Sequence, residues 1–206
     1  MSIKNLLFDL GGVIMDIRKA DCVEAFTRLG LKDAASYFGE YSQTGIFMQL
    51  ERGDLTTDEF HAALRPNLPP DTTDGQIDRA FCRFLTGIPV HRLRELEELR
   101  KRYKVYLLSN TNPIMWNADI ESEFRKDGHN REYYFDGMVT SFRANALKPE
   151  EKIFTYAERH LGIKPGETLF FDDSQTNLDA AARLGFQTAL VAPGTEFADI
   201  LKQRGL

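Results

Sequence analysis

Five strand-length apolar runs alternate with helix-patterned stretches along most of this chain, and that alternation narrows the fold more than any other feature. The first run, from Asn5 through Phe8 to Ile14, is apolar on both faces and reads as a buried strand that ends in a glycine turn at a carboxylate, Asp9. The others lie at 104–109, 137–141, 168–173 and 187–191, with helical patterns at 90–102, 114–124, 150–160, 175–184 and 196–203. Strands alternating with helices of this length predict an α/β fold, a doubly wound parallel sheet covered on both sides. Residues 17–87 break the rhythm. They show no strand pattern but four helix-like segments, near 21–29, 46–51, 57–64 and 76–84, with Thr56 and Glu59 spaced as a capping box. The expected organisation is a core of residues 1–16 and 88–206 with a helical cap, 17–87, inserted after the first strand.

Composition limits the partners. Hydrophobic residues make up 42%, with 15 Phe, enough for a packed core. Lys and Arg number 26 against 31 Asp and Glu, a net charge of −5, so neither nucleic acid nor an anionic membrane surface is an expected partner. The apolar start, interrupted by Asp9, matches neither a signal peptide nor a membrane span. Cys22 and Cys82 form no C-x-x-C pair, which suggests reduced thiols and a cytoplasmic setting. Oligomeric state is not legible in these residues.

In a doubly wound sheet, ligands gather beyond the carboxyl ends of the strands, and here those ends carry Asp9, Ser109, Ser141, Asp172 and Asp173. Three carboxylates across one crevice repel unless a cation neutralises them, and oxygen ligands suit Mg²⁺. Lys148, before Pro149, is placed to hold a phosphate. Ser109 and Asn110 offer a hydroxyl and a backbone N–H to the same anion, and Gly11 and Gly12 allow close approach of backbone amides. Singly, each has a plainer use: Asp9 as a turn residue, Ser109 as a helix cap, Lys148 as a solvated charge. The adjacent pair Asp172 and Asp173, after an apolar strand, is the hardest to explain without a cation.

Taken together, these residues resemble the haloacid dehalogenase superfamily in the branch with a helical cap. Phe8-Asp9-Leu10-Gly11-Gly12-Val13, Leu108-Ser109-Asn110, Lys148-Pro149 and Phe171-Asp172-Asp173-Ser174-Gln175-Thr176-Asn177 are similar to its four motifs, in order and spacing. The resemblance implies a Rossmann-like core and phosphoryl transfer through an aspartyl phosphate. It makes Asp9 the nucleophile, with Mg²⁺ held by Asp9, the Gly11 carbonyl and Asp173, and Asp172 supporting the metal directly or through water. Ser109, Asn110 and Lys148 would bind the phosphoryl group. Asn177, one helical turn beyond Asp173 by its i,i+4 spacing, is placed to orient it. Asn145 stands where the family often has glycine. Gly11 replaces the aspartate that serves most phosphatases of this family as acid and base, a function typically worth about 10²–10⁴ in rate. Asp16 is a possible stand-in for that acid, although its expected role is at the cap hinge.

The glycine-containing first motif, the segment from Phe47 to Gly53 and Ser109-Asn110-Thr111-Asn112 with Trp116 are similar to a bacterial group of alpha-D-glucose-1-phosphate phosphatases. That likeness implies a small phosphorylated metabolite as substrate, a sugar phosphate such as a hexose 1-phosphate, whose anomeric oxygen leaves with little help from an acid. Selectivity is expected between Thr44 and Arg52, with Phe47 and Gln49 as candidates. Two alternatives stand beside this reading: a metal-free 2-haloacid dehalogenase, and a relative that binds a phosphorylated ligand or a protein without turnover because Gly11 lacks the acid.

Overall fold

A computed structural model describes residues 2–39 and 43–206. Five strands, β1 (Asn5–Phe8), β4 (Lys104–Ser109), β5 (Gly137–Thr140), β6 (Thr168–Asp172) and β7 (Gln187–Leu190), pair in parallel in the order β5-β4-β1-β6-β7. The chain therefore builds outward from β1 on one side and returns to extend the other side through β6. The crevice above β1 and β6 is the switch point at which such sheets bind ligands.

Alternation along β1 divides the core. Leu6 and Phe8 join a cluster that continues into the helical insertion, whereas Leu7 packs with Leu108, Phe170, Ile153, Phe154 and Ala181 under the opposite helices. The helices Val90–Leu99, Glu151–Leu161, Gln175–Arg183 and Phe197–Gln203 fall within about three residues of their predicted bounds. The expected helix over 114–124 is instead broken into Pro113–Met115, a π-helical segment Trp116–Ile120 and Glu121–Phe124, an arrangement that buries both Trp116 and Ile120.

Between β1 and β4 lie the helices Lys19–Arg28, Gly45–Arg52, Thr57–Leu64 and Asp74–Cys82. Five phenylalanines, Phe26, Phe38, Phe47, Phe60 and Phe81, pack them together, with Phe47 touching the other four at ring separations of 4.8–5.2 Å. The Thr56–Glu59 capping box forms as its spacing requires. One expectation fails: this region is not free of strands. β2 (Asp16–Ile17) and β3 (Leu85–Gly87) pair antiparallel where the chain leaves and rejoins the sheet. Two- and three-residue strands are too short to carry a periodic signal. Among the described residues, no helix is long and apolar enough to cross a membrane.

Candidate active site

The turn after β1 wraps tightly, with the N–H groups of Ile14 and Met15 donating to the Leu10 carbonyl. That wrap brings Gly12 against β6's carboxyl end. Gly12 has φ +74°, and a Cβ there would lie 2.3 Å from Asp173 Oδ2, so glycine is what lets the turn and the carboxylate share this space.

Asp9, Asp172 and Asp173 converge, each offering an oxygen within 4.8 Å of the others. Lys148 enters from the turn before the helix Glu151–Leu161, with Nζ 2.8 Å from Asp9 Oδ1 and 2.7 Å from Asp172 Oδ2. The four differ in how free they are. Asp172 is fully buried, and its Oδ1 also accepts from the Ser174 N–H and from Asn177 Nδ2, both at 2.9 Å. Asn177 thus holds Asp172, not Asp173 as expected. Asp173 precedes the helix that starts at Gln175, so the i,i+4 relation that suggested the pair does not apply.

One cation among three carboxylates leaves an excess of negative charge. Burial, with Asp172 and Asp173 adding to it against the pull of Lys148, pushes Asp9 up to about 7. Burial and the Asp172 charge push Asp173 up to about 6. Burial alone would lower Lys148, but Asp172 and Asp9 more than reverse it and keep the ammonium charged. An all-oxygen donor set with uncompensated negative charge is what a hard dication such as Mg²⁺ requires, so these residues fit that metal.

Asn110 braces the site. Its side chain exchanges two hydrogen bonds with the main chain of Lys148, at 2.9 and 3.0 Å, so the part of Asn110 able to serve an anion is its own backbone. Ser109 is buried at the end of β4, and its hydroxyl donates to the Asn110 carbonyl at 3.3 Å.

Above these groups lies a cavity of about 90 Å³, lined by Asp9, Gly11, Asn110, Lys148 and Asp173 below and by Ile17, Gln43, Glu51 and Phe84 above. A second cavity of about 40 Å³ adjoins it, reaching Ser109 and sharing Gly11, Ile17, Glu51, Phe84 and Asn110. Phe47 and Gln49 line neither cavity. Phe47 is fully buried in the phenylalanine cluster and Gln49 points to solvent. The helix Gly45–Arg52 buries Phe47, Leu50 and Glu51 on one side, a 3.6-residue stripe in which the large aromatic fills the core and the acid reaches the cavity. A charged residue four positions beyond Phe47 on an apolar stripe was the signal for Glu51. Gln43, outside the helix, had none.

That helix is fixed over the Lys148 turn. Arg52 pairs with Glu150 at 2.6 Å, and Asn145, in the left-handed conformation at φ 48°, donates to Asp54 at 2.9 Å. Gly53, at φ +81°, lies so close to the core that a Cβ would fall 2.2 Å from the Phe142 carbonyl oxygen. Asp16 is bound to Arg92 at 2.8 Å and is not among the residues that line the cavity beneath Glu51.

Burial pushes Glu51 from 4.5 up to about 8, partly offset by hydrogen bonding from Gln43. Between these values the folded protein keeps a proton that the unfolded chain has released, so stability falls as pH rises from 4.5 to about 8. Glu51→Gln carries no such charge. Its melting temperature relative to wild type is expected to rise between pH 5 and pH 9, an effect on the order of a few kcal/mol. Calorimetric melting curves across that range check this; a constant difference would contradict it.

A model of the haloacid dehalogenase-like hydrolases matches residues 3–185. The chain is 39% identical over 186 residues, 90% of each protein, to the D-ribitol-5-phosphate phosphatase of Bacteroides thetaiotaomicron. It is 26% identical to an (S)-2-haloacid dehalogenase of Burkholderia cepacia, over 98% of this chain and 90% of that one. Among solved structures, a haloacid dehalogenase family enzyme of Bacteroides thetaiotaomicron, in complex with magnesium and inorganic phosphate, superposes with a TM-score of 0.90 at 37% identity, covering 97% of this chain and 99% of that one.

Proposed function

The chain belongs to the haloacid dehalogenase-like hydrolases, and from that premise we propose that it is a Mg²⁺-dependent phosphatase acting on the phosphate monoester of a small sugar or sugar alcohol. The observation that carries this reading is Lys148, buried between Asp9 and Asp172 with Asp173 beside them under one cavity. Such a floor suits a phosphoryl group, which meets a nucleophile, a fixed cation and a metal-binding carboxylate at once.

Asp9, Asp173 and the Gly11 carbonyl would hold the metal, which when bound supplies positive charge to the carboxylates and to the phosphoryl oxygens. The Leu10 N–H and Lys148 Nζ, at 2.7 and 2.8 Å, aim the Asp9 carboxylate. Asp9 attacks phosphorus as the bond to the leaving oxygen breaks, the departing oxygen takes a proton from water, and a second water hydrolyses the aspartyl phosphate to release phosphate and restore the Asp9 carboxylate. Lys148 meets the charge that builds on the equatorial oxygens. Asp172, held by Asn177 and Ser174, keeps Lys148 in place. The helical segment 17–87 acts as the lid that shields this chamber from bulk solvent.

The paired carboxylates favour this reading over a metal-free dehalogenase. The substrate class follows the relative named for a pentitol 5-phosphate, an ester of a primary alcohol, rather than the anomeric ester expected from the glycine at position 11. Phosphate release from pentitol 5-phosphates, hexose 1- and 6-phosphates and an aryl phosphate, with and without Mg²⁺, tests the proposal. Metal-dependent release supports it; no release from any ester would make the protein a binding relative, and chloride release from a 2-haloacid without metal would make it a dehalogenase.

Gly11 offers a gain-of-function check. Among the described residues, a Cβ there would meet only the Ile17 methyl carbons, at 3.4 and 3.5 Å, so the backbone at this position has room for a side chain's first carbon. Gly11→Asp is expected to raise kcat on alcohol esters about tenfold or more, and less on an aryl ester, whose leaving oxygen needs less protonation. Steady-state kinetics on both esters decide it, and an unchanged kcat would mean that the acid comes from elsewhere.

A further inference from the structure

Two polar side chains in the roof of the chamber have no part in holding the phosphoryl group. Gln43 and Glu51 are each only 7% exposed, and both line the cavity above Asp9, Lys148 and Asp173. Gln43 hydrogen bonding acts on the Glu51 carboxyl, yet Gln43 Oε1 is itself buried and, among the described residues, receives no hydrogen bond. A buried amide oxygen without a donor, on a side chain that lines a cavity, is a position for a hydroxyl. Burial also keeps Glu51 protonated around neutral pH, and a carboxylic acid both donates and accepts.

The remaining lining limits the ligand's charge. Among the described residues, Lys148 is the only cationic side chain lining either cavity, and Asp9 and Asp172 already hold it. A second phosphate or a carboxylate on the substrate would find no free counter-charge among these side chains. Ile17 and Phe84 supply apolar walls suited to the C–H faces of a carbon chain.

We infer that Gln43 and Glu51 recognise the leaving group of the substrate as an uncharged, hydroxyl-bearing chain, and that the chamber rejects leaving groups with a second negative charge. The inference rests on the phosphatase reading above and adds to it the residues that choose the substrate.

The test compares kcat/KM for a pentitol 5-phosphate, phosphoglycolate, an amino-alcohol phosphate and an aryl phosphate in wild type, Gln43→Ala, Glu51→Ala and Glu51→Gln. Wild type is expected to prefer the pentitol ester to phosphoglycolate by about 100-fold or more. Both alanine variants should lower the pentitol-to-aryl ratio by about tenfold or more, chiefly through KM, whereas Glu51→Gln, whose amide also donates and accepts, should keep it within about threefold. If Glu51→Ala fails to fold, Gln43→Ala and Glu51→Gln carry the comparison. An unchanged ratio in the alanine variants, equal turnover of phosphoglycolate, or a preference for the amino ester that Glu51→Gln loses would each overturn the inference while the phosphatase reading stood. Absence of metal-dependent release from every ester, the aryl one included, would overturn both.

Discussion

Asp9→Asn is expected to lower Mg²⁺-dependent phosphate release by at least about 10³-fold while the protein still folds. Asparagine keeps the side-chain volume and an Oδ1 that can accept from the Leu10 N–H and from Lys148, now at 2.7 and 2.8 Å. What it lacks is a charged oxygen able to attack phosphorus. The variant should therefore melt with wild-type cooperativity yet release phosphate at a rate near the uncatalysed background. Single-turnover kinetics beside a melting curve check this. Retention of more than a tenth of wild-type activity would remove Asp9 from the chemistry.

Lys148→Ala should damage both activity and stability. Lys148 is buried, and its ammonium is the positive charge shared by Asp9 and Asp172. Its removal leaves two buried carboxylates facing each other, and breaking a buried ion pair in this way typically costs about 3–5 kcal/mol. The phosphoryl group also loses a fixed cation, worth about 10²–10³ in kcat where a single such donor has been removed from other sites. Added Mg²⁺ should recover part of the stability, since it neutralises the same carboxylates, but little of the rate. Denaturant melts with and without Mg²⁺, alongside kcat, separate the two effects. A variant as stable as wild type would show that the lysine is not what keeps these acids together.

The parts of this protein that could be read from its sequence are those in which a residue's surroundings follow from its neighbours in the chain. Asp9, Asp172 and Asp173 end strands whose apolar character is plain, and a parallel sheet brings strand ends together whatever the detail of the loops. Lys148 was legible because the Lys-Pro pair precedes a helix, which begins at Glu151.

The misses came from phase and from distance. Phe47 and Gln49 lay in the right segment, but the demands of the phenylalanine cluster rotate the helix Gly45–Arg52 so that Glu51 reaches the cavity. Asn177 was assigned by helical spacing to a residue outside the helix. Gln43 meets the site only through tertiary packing, and the ribbon of β2 and β3 is too short to leave a pattern.

The most direct test of the account is rapid acid quench of the wild-type protein during turnover of a pentitol 5-phosphate or an aryl phosphate with Mg²⁺, followed by peptide mass spectrometry. The expected result is a phosphoryl group on the peptide that carries Asp9, formed at least as fast as phosphate is released and lost on the time scale of one turnover. Phosphate release without that adduct, or a phosphoryl group on another residue, would contradict the assignment of Asp9 as the nucleophile.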